Sequence, residues 1–337
     1  MEKEKTKQEF HLSKRAWITI FTVCALAMAV TLVLHHNPFA NPQEERVKKM
    51  IACVIIAVCE ILFVRLYDKI TVLPVELWQN RKLIWKLAKN DFKTRYAGSY
   101  MGIVWAFIQP VVTILVYWIV FEFGFNAKGE ILKEGVSVPY VLYLTTGIVP
   151  WFYFSEALTN GTNALLEYNY LVKKVVFKIS ILPIIKIIAA TFIHVFFVCF
   201  MLVLAAGYGY YPDIHLLQII YFSLCMFVFV LGLCYATCAI IVFFRDLGQI
   251  INIFLQVGMW ATPILWNISM VSEEYRIIFK FNPIFYIVNG YRSAIFEKTW
   301  FWEDFYSTMF FWIITVVIFG IGALIFKRLK VHFADVL

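Results

Sequence analysis

Few side chains in this sequence could do chemistry, and they stand apart. His194 is alone in an apolar run, Lys186 lies two turns into the same run, and Arg245 and Asp246 sit together at the end of the next. Acid–base catalysis needs such groups to converge on one bond, and nothing in their spacing brings them together. The seven cysteines, Cys24, Cys53, Cys59, Cys199, Cys225, Cys234 and Cys238, all lie in apolar runs, so they read as packing residues rather than disulfides. Cys234 and Cys238 share a helix face, but two thiols without His or carboxylate company make a poor metal site. There is no G-x-x-x-x-G-K-[ST], H-E-x-x-H, C-x-x-C or G-x-S-x-G. We therefore assign no catalytic residue, no metal and no nucleotide site to this chain. Lys186 is expected to snorkel to the nearer interface and His194 to be a hydrogen-bonded core residue.

The elements that carry these groups are membrane elements. Of 337 residues 62% are hydrophobic, only 15% are charged, and 18% are aromatic. Eight apolar runs read as spanning helices: 16–34, 50–67, 101–121, 138–158, 179–206, 216–244, 247–268 and 305–326. The second is the weakest, being short and carrying Glu60 and Arg65. With the N-terminus inside, cytoplasmic segments hold twenty of the Lys and Arg residues and outer segments nine, with Lys186 within a span. That asymmetry places both termini inside. It also explains the net charge of +8 without nucleic acid. The charged tail "MEKEKTKQEFHLSKR" lacks the features of a cleavable signal.

Three non-spanning segments draw notice. In 77–96, Lys82, Lys86, Lys89 and Lys93 form a basic stripe, while Ile84, Ala88, Phe92 and Tyr96 recur on another face. Such a helix should lie in the inner interface among lipid headgroups. The loop 160–180 reads as a short helix lying across the cytoplasmic face. It is either a second interfacial element or a docking element, with Leu171 and Val172 as an apolar knob and Glu167, Lys173 and Lys174 as its charged rim. Finally, "NPIFYIVNGYRSAIF" is apolar but reaches only ~22 Å as a helix, short of a ~30 Å hydrocarbon core. Aromatic residues away from span ends, Tyr117 and Trp260 above all, would suit sugar rings in a pore, although interfacial belts explain many Trp and Tyr.

The blocks "LAKNDFKTRYAGSYMGIVWAFIQP", "GIVPWFYFSEAL", "LVKKVVFKISILP", "FFRDLGQIINIFLQVGMWATPILWN" and "NPIFYIVNGYR" occur in that order over residues 77–337. They resemble the polysaccharide-export branch of the ABC-2 permeases, most of all the permease of teichoic acid translocators; O-antigen and capsule permeases are the near alternatives. The resemblance implies an all-α polytopic membrane protein of the bacterial cytoplasmic membrane, a six-helix ABC-2 core with outer re-entrant helices. Residues 1–70 add two extra transmembrane helices, 71–100 form an interfacial gate helix, and 101–337 form the transmembrane domain. It further implies a homodimer paired with two copies of a separate ATPase, which binds ATP and Mg. The cargo would be a polymer on undecaprenyl pyrophosphate.

By position, Lys89, Lys93, Arg95 and Tyr96 would border the substrate gate, and Arg95 would suit a pyrophosphate. Trp105, Tyr117, Phe254 and Trp260 would line the channel. Glu167, Leu171, Val172, Lys173 and Lys174 would couple to the ATPase. Tyr286, Asn289, Tyr291 and Arg292 would belong to the re-entrant hairpin, whose other half would be Glu273–Lys280 or a segment near it. Two features depart from the usual pattern: the two leading spans, and Lys178 where many relatives have proline. Rival readings are a stand-alone membrane enzyme acting on lipid-linked sugars, which needs a converging acid–base or metal site, and an exporter of drugs or small lipids, which needs a bounded apolar pocket.

Overall fold

The computed structural model describes residues 14–34, 42–70, 72–95, 97–127, 138–172 and 178–336, and every regular element among them is helical. The chain divides into two compact units, residues 1–80 and 81–337. In the first, α1 (Lys14–Leu34) and α2 (Pro42–Ile70) pair through stacked Phe21 and Phe63 rings, 4.0 Å between centroids. The Thr22 hydroxyl donates to Glu60 Oε1. That bond gives the carboxyl of the weakest expected span a partner, and α2 reaches ~43 Å, longer than the run 50–67 suggested.

The unit boundary falls within α3 (Val72–Arg95). A turn with left-handed Gly98 and Gly102, at φ +88° and +55°, leads to α4 (Trp105–Trp118), which continues as a π-helical segment, Ile119–Gly124. Side chains with a Cβ rarely adopt that backbone. Then come α5 (Tyr140–Thr162), the one-turn helices α6 (Ala164–Glu167) and α7 (Asn169–Val172), α8 (Leu182–Gly207), α9 (Leu217–Ile241) and α10 (Leu247–Ala261). The short α11 (Glu273–Lys280) and α12 (Pro283–Arg292) precede α13 (Phe305–Leu329) and a terminal turn, α14 (Phe333–Val336).

Among the described residues five helical stretches are long and apolar enough to cross a membrane: 14–34, 102–124, 179–207, 214–241 and 305–332. The 23-residue α5 forms the centre of the second unit and is buried along nearly its whole length. Its neighbours are α8, α9 and α12 rather than lipid, so it can carry Thr, Gly and Tyr that a lipid-facing helix would avoid.

The run 247–268 does not form one span. Its helix ends at Ala261, because Pro263 forces Thr262 into extended backbone (φ −103°, ψ +130°). At 15 residues, α10 reaches only ~22 Å. The irregular backbone that follows finds its partners on α5 and α12. Tyr140 donates to the Leu265 carbonyl at 2.8 Å, Tyr143 to the Trp266 carbonyl at 3.1 Å, and the Arg292 guanidinium to the Ile264 carbonyl at 3.3 Å. Arg292 also lies 3.6 Å above the Tyr143 ring. Non-helical backbone at membrane depth is tolerated only where such partners exist. α11 and α12 follow across a short turn, and neither is long enough to cross. Asn282 accepts from the Ile284 amide and Pro283 occupies the first turn, which fixes the start of α12.

α9 and α13 meet through glycine. A Cβ on Gly322 would stand 2.2 Å from the Gly232 carbonyl oxygen, whereas one on Gly320 would meet nothing within 4 Å. Gly322→Ala is expected to destabilise the protein by about 1–3 kcal/mol through overpacking. Gly320→Ala, two residues away, should be neutral or stabilising. Thermal unfolding in detergent of the two variants checks the contrast; equal melting temperatures would refute the close packing.

Candidate functional site: an ion network at the end of the bundle

Along the inner face of α3 the buried residues are Ile84, Ala88 and Asp91, at steps of four and three. The drift of an ideal helix thus places a carboxylate where a strict four-residue repeat would place Phe92, which is half-buried. Phe92 and Trp85 instead meet Phe192 of α8 edge-on, at 5.7 and 5.2 Å. Lys82, Lys86, Lys89 and Lys93 remain exposed, as the stripe predicted. Tyr96, Lys173 and Lys174 lie outside the described residues.

Asp91 is 7% exposed and is the hub of a network. Its Oδ1 accepts from Lys186 Nζ at 2.5 Å and from the Tyr168 hydroxyl at 2.8 Å, and its Oδ2 from Arg95 Nη2 at 3.0 Å. Lys186 also pairs with Glu167, and Arg95 with Glu156 of α5. The ammonium lies 5.0 Å from the Tyr168 ring centroid. Burial, reinforced by the adjacent Asp91 charge, raises the Tyr168 phenol well above its ordinary pKa, so it stays protonated as a donor. Three carboxylates and two cations from α3, α5, α8 and the α5–α8 connection are thereby joined.

This corrects three expectations. Lys186 does not snorkel: it is 3% exposed and neutralised by two carboxylates. Glu167 serves Lys186 rather than only an outer rim. Val172 is buried, so among the described residues of the connection the exposed apolar side chain is Tyr170, with Leu171 half-buried beside it.

Other candidate residues are dispersed. Trp105 is exposed beside Arg95, lining the same cleft. Tyr117 is half-buried, while Phe254 and Trp260 lie on the exposed apolar stripe of α10. In α12, Tyr286 bonds Thr308 at 2.9 Å and Tyr291 bonds Ser223 at 2.6 Å; Asn289 is half-buried. Buried Arg292, Tyr286 and Tyr291 hold α12 against α5, α9 and α13. His194 is the hydrogen-bonded core residue expected, sharing Nε2 with Ser223 and Tyr291.

Glu156 and Tyr168 escaped the sequence reading, and Asp91 entered it only within a motif. A signal existed: Glu156 and Lys186 are lone opposite charges near the ends of consecutive spans, where two isolated charges are costly unless joined.

Removing one partner of a buried ion pair leaves an uncompensated charge, at about 3–5 kcal/mol. Lys186→Met should lower the melting temperature markedly, and adding Asp91→Asn should restore part of the loss. A double variant no more stable than Lys186→Met alone would show that the two residues do not act as a unit.

The profile of the ABC-2 type transporter family matches residues 82–296. An O-antigen export system permease protein RfbA from Myxococcus xanthus is 28% identical over 263 residues, 77% of this chain and 97% of its own length. A protein of the same name from Klebsiella pneumoniae is 25% identical over 255 residues, 74% of this chain and 93% of its own. The polysialic acid transport protein KpsM from Escherichia coli is 19% identical over 212 residues, 61% of this chain and 78% of its own. The family match begins beyond α1 and α2 and contains every member of the ion network, and on it the protein belongs to the ABC-2 type transporter family.

Proposed function

We propose that this chain is the membrane-spanning permease of an ATP-driven exporter of lipid-linked polysaccharide. It acts as a homodimer with two copies of a separate ATP-binding subunit, which supplies ATP and Mg, and sits in the bacterial cytoplasmic membrane with both termini inside. The observation that carries the reading is the ion network, which ties the α5–α8 connection, a surface suited to an ATPase partner, to the interfacial helix α3 through Lys186. A push on that connection would reach α3 through salt bridges rather than through a flexible loop. The match to the ABC-2 family and the names of the relatives support transport rather than chemistry on this chain.

For the cargo, the relatives' names favour an O-antigen or capsular polysaccharide over the teichoic acid suggested by sequence motifs. Undecaprenyl pyrophosphate is the carrier we expect. Arg95 is already engaged by Asp91 and Glu156, so its role is to position the gate helix before any role on pyrophosphate.

The test is polymer-stimulated ATP hydrolysis by the complex in proteoliposomes, comparing lipid-linked O-antigen, capsular polymer and teichoic acid. Tyr170→Asp, on the exposed connection, should reduce stimulated hydrolysis by about tenfold, equivalent to about 1.4 kcal/mol of coupling, without unfolding the chain. Wild-type stimulation in that variant would remove the docking assignment. Stimulation by teichoic acid alone would reverse the cargo reading.

A further inference from the structure

Between α4 and α5 lies an open cleft of about 370 Å³ whose lining is unlike the rest of the bundle. α4 contributes Trp105, Gln109 and Thr113, each four residues apart, and α5 contributes Ser155, Thr159 and Asn160 from one face. Counting Phe152 at the start of the α5 face, both helices present the cleft over about 12 Å of their length. Its volume is within the range of small-molecule sites. The side chains of Gln109, Ser155 and Asn160 make no hydrogen bond among the described residues, and the Thr113 hydroxyl donates to the Gln109 carbonyl. Pro110 has no N–H, so the Ala106 carbonyl on the cleft wall lacks its helical donor.

Charge decides what this lining can hold. Among the described residues the one cation lining the cleft is Arg95, and its guanidinium is bonded to Asp91 and Glu156. With those two carboxylates, and Glu167 set against Lys186, the site has no surplus positive charge for a pyrophosphate. The remaining lining is two carboxamides, which both donate and accept, three hydroxyls, an exposed indole, and the apolar Ala106, Pro110, Phe152 and Ile193. Hydroxyl-rich rings need that combination; an apolar drug does not.

We infer that the α4–α5 cleft binds an uncharged saccharide unit, with Gln109 and Asn160 as the paired donors and acceptors for its hydroxyls and Trp105 as the apolar surface for its ring. This deepens the exporter reading, on which it rests for the source of the sugar. The carrier's phosphates then lie outside the cleft.

The test uses the full chain in nanodiscs and two photoreactive probes, a polyprenyl pyrophosphate and the same lipid bearing one neutral hexose, with crosslinks mapped by peptide mass spectrometry. The hexose-bearing probe should label residues 105–113 and 152–160 and the bare lipid should not. Gln109→Leu and Asn160→Leu should each lower that labelling by about fivefold, in line with the loss of one hydrogen-bonding group. Equal labelling by the bare pyrophosphate would overturn the inference, as would labelling of neither segment by either probe. The wild-type comparison stands even if a variant misfolds. Polymer-stimulated ATP hydrolysis, measured on the reconstituted complex, separates failure of the cleft assignment from failure of the exporter reading.

Discussion

The second unit is organised around a lysine that has been taken out of water. An ammonium with 3% exposure is tolerable only if carboxylates come to it, and Asp91 and Glu167 arrive from different parts of the chain. Asp91 brings the end of α3 with it, Glu167 brings the α5–α8 connection, and Arg95 extends the contact to Glu156 on α5. Apolar packing alone would hold these elements in register only loosely, since lipid is as apolar as the core. Directional ion pairs in a low-dielectric setting specify one arrangement, and they tie a surface suited to a partner to a helix suited to the interface.

At the far side of the second unit a different constraint operates. Pro263 stops α10 early, and the exposed peptide groups that follow must be satisfied without water. Tyr140, Tyr143 and Arg292 supply that satisfaction, and Gly147 leaves room for the guanidinium: a Cβ there would stand 3.0 Å from Arg292 Nη2. The same arginine that makes "NPIFYIVNGYR" an awkward membrane segment is what permits the preceding break. α11 and α12 can therefore be short because the backbone around them is held by α5 rather than by their own length.

The sequence disclosed the helices well, because long apolar runs bounded by charges admit few alternatives. The short helix expected around Glu273–Lys280 from the family resemblance is present, with Glu273 and Glu274 in its first turn and Lys280 in its last, the order its dipole favours. Sequence reading failed where a residue's partner was distant. Lys186 looked like a snorkelling cation because hydropathy reads one helix at a time and cannot see Asp91, 95 residues away. Val172 looked like a surface knob for the same reason. The 247–268 run overran its helix because composition outweighed the local effect of Pro263. The network was half legible: Asp91, Arg95 and Glu167 were in view, but nothing along the chain said that they meet.

If Lys186 joins them as a unit, α3 and the α5–α8 connection should move as one piece. Spin labels at Lys89 and Asn169, both on exposed positions, allow that distance to be followed by pulsed electron resonance through the ATP cycle of the assembled complex. One narrow distance should persist through the cycle in the wild type and broaden in Lys186→Met. The same distribution in both proteins, narrow or broad, would contradict that joint movement.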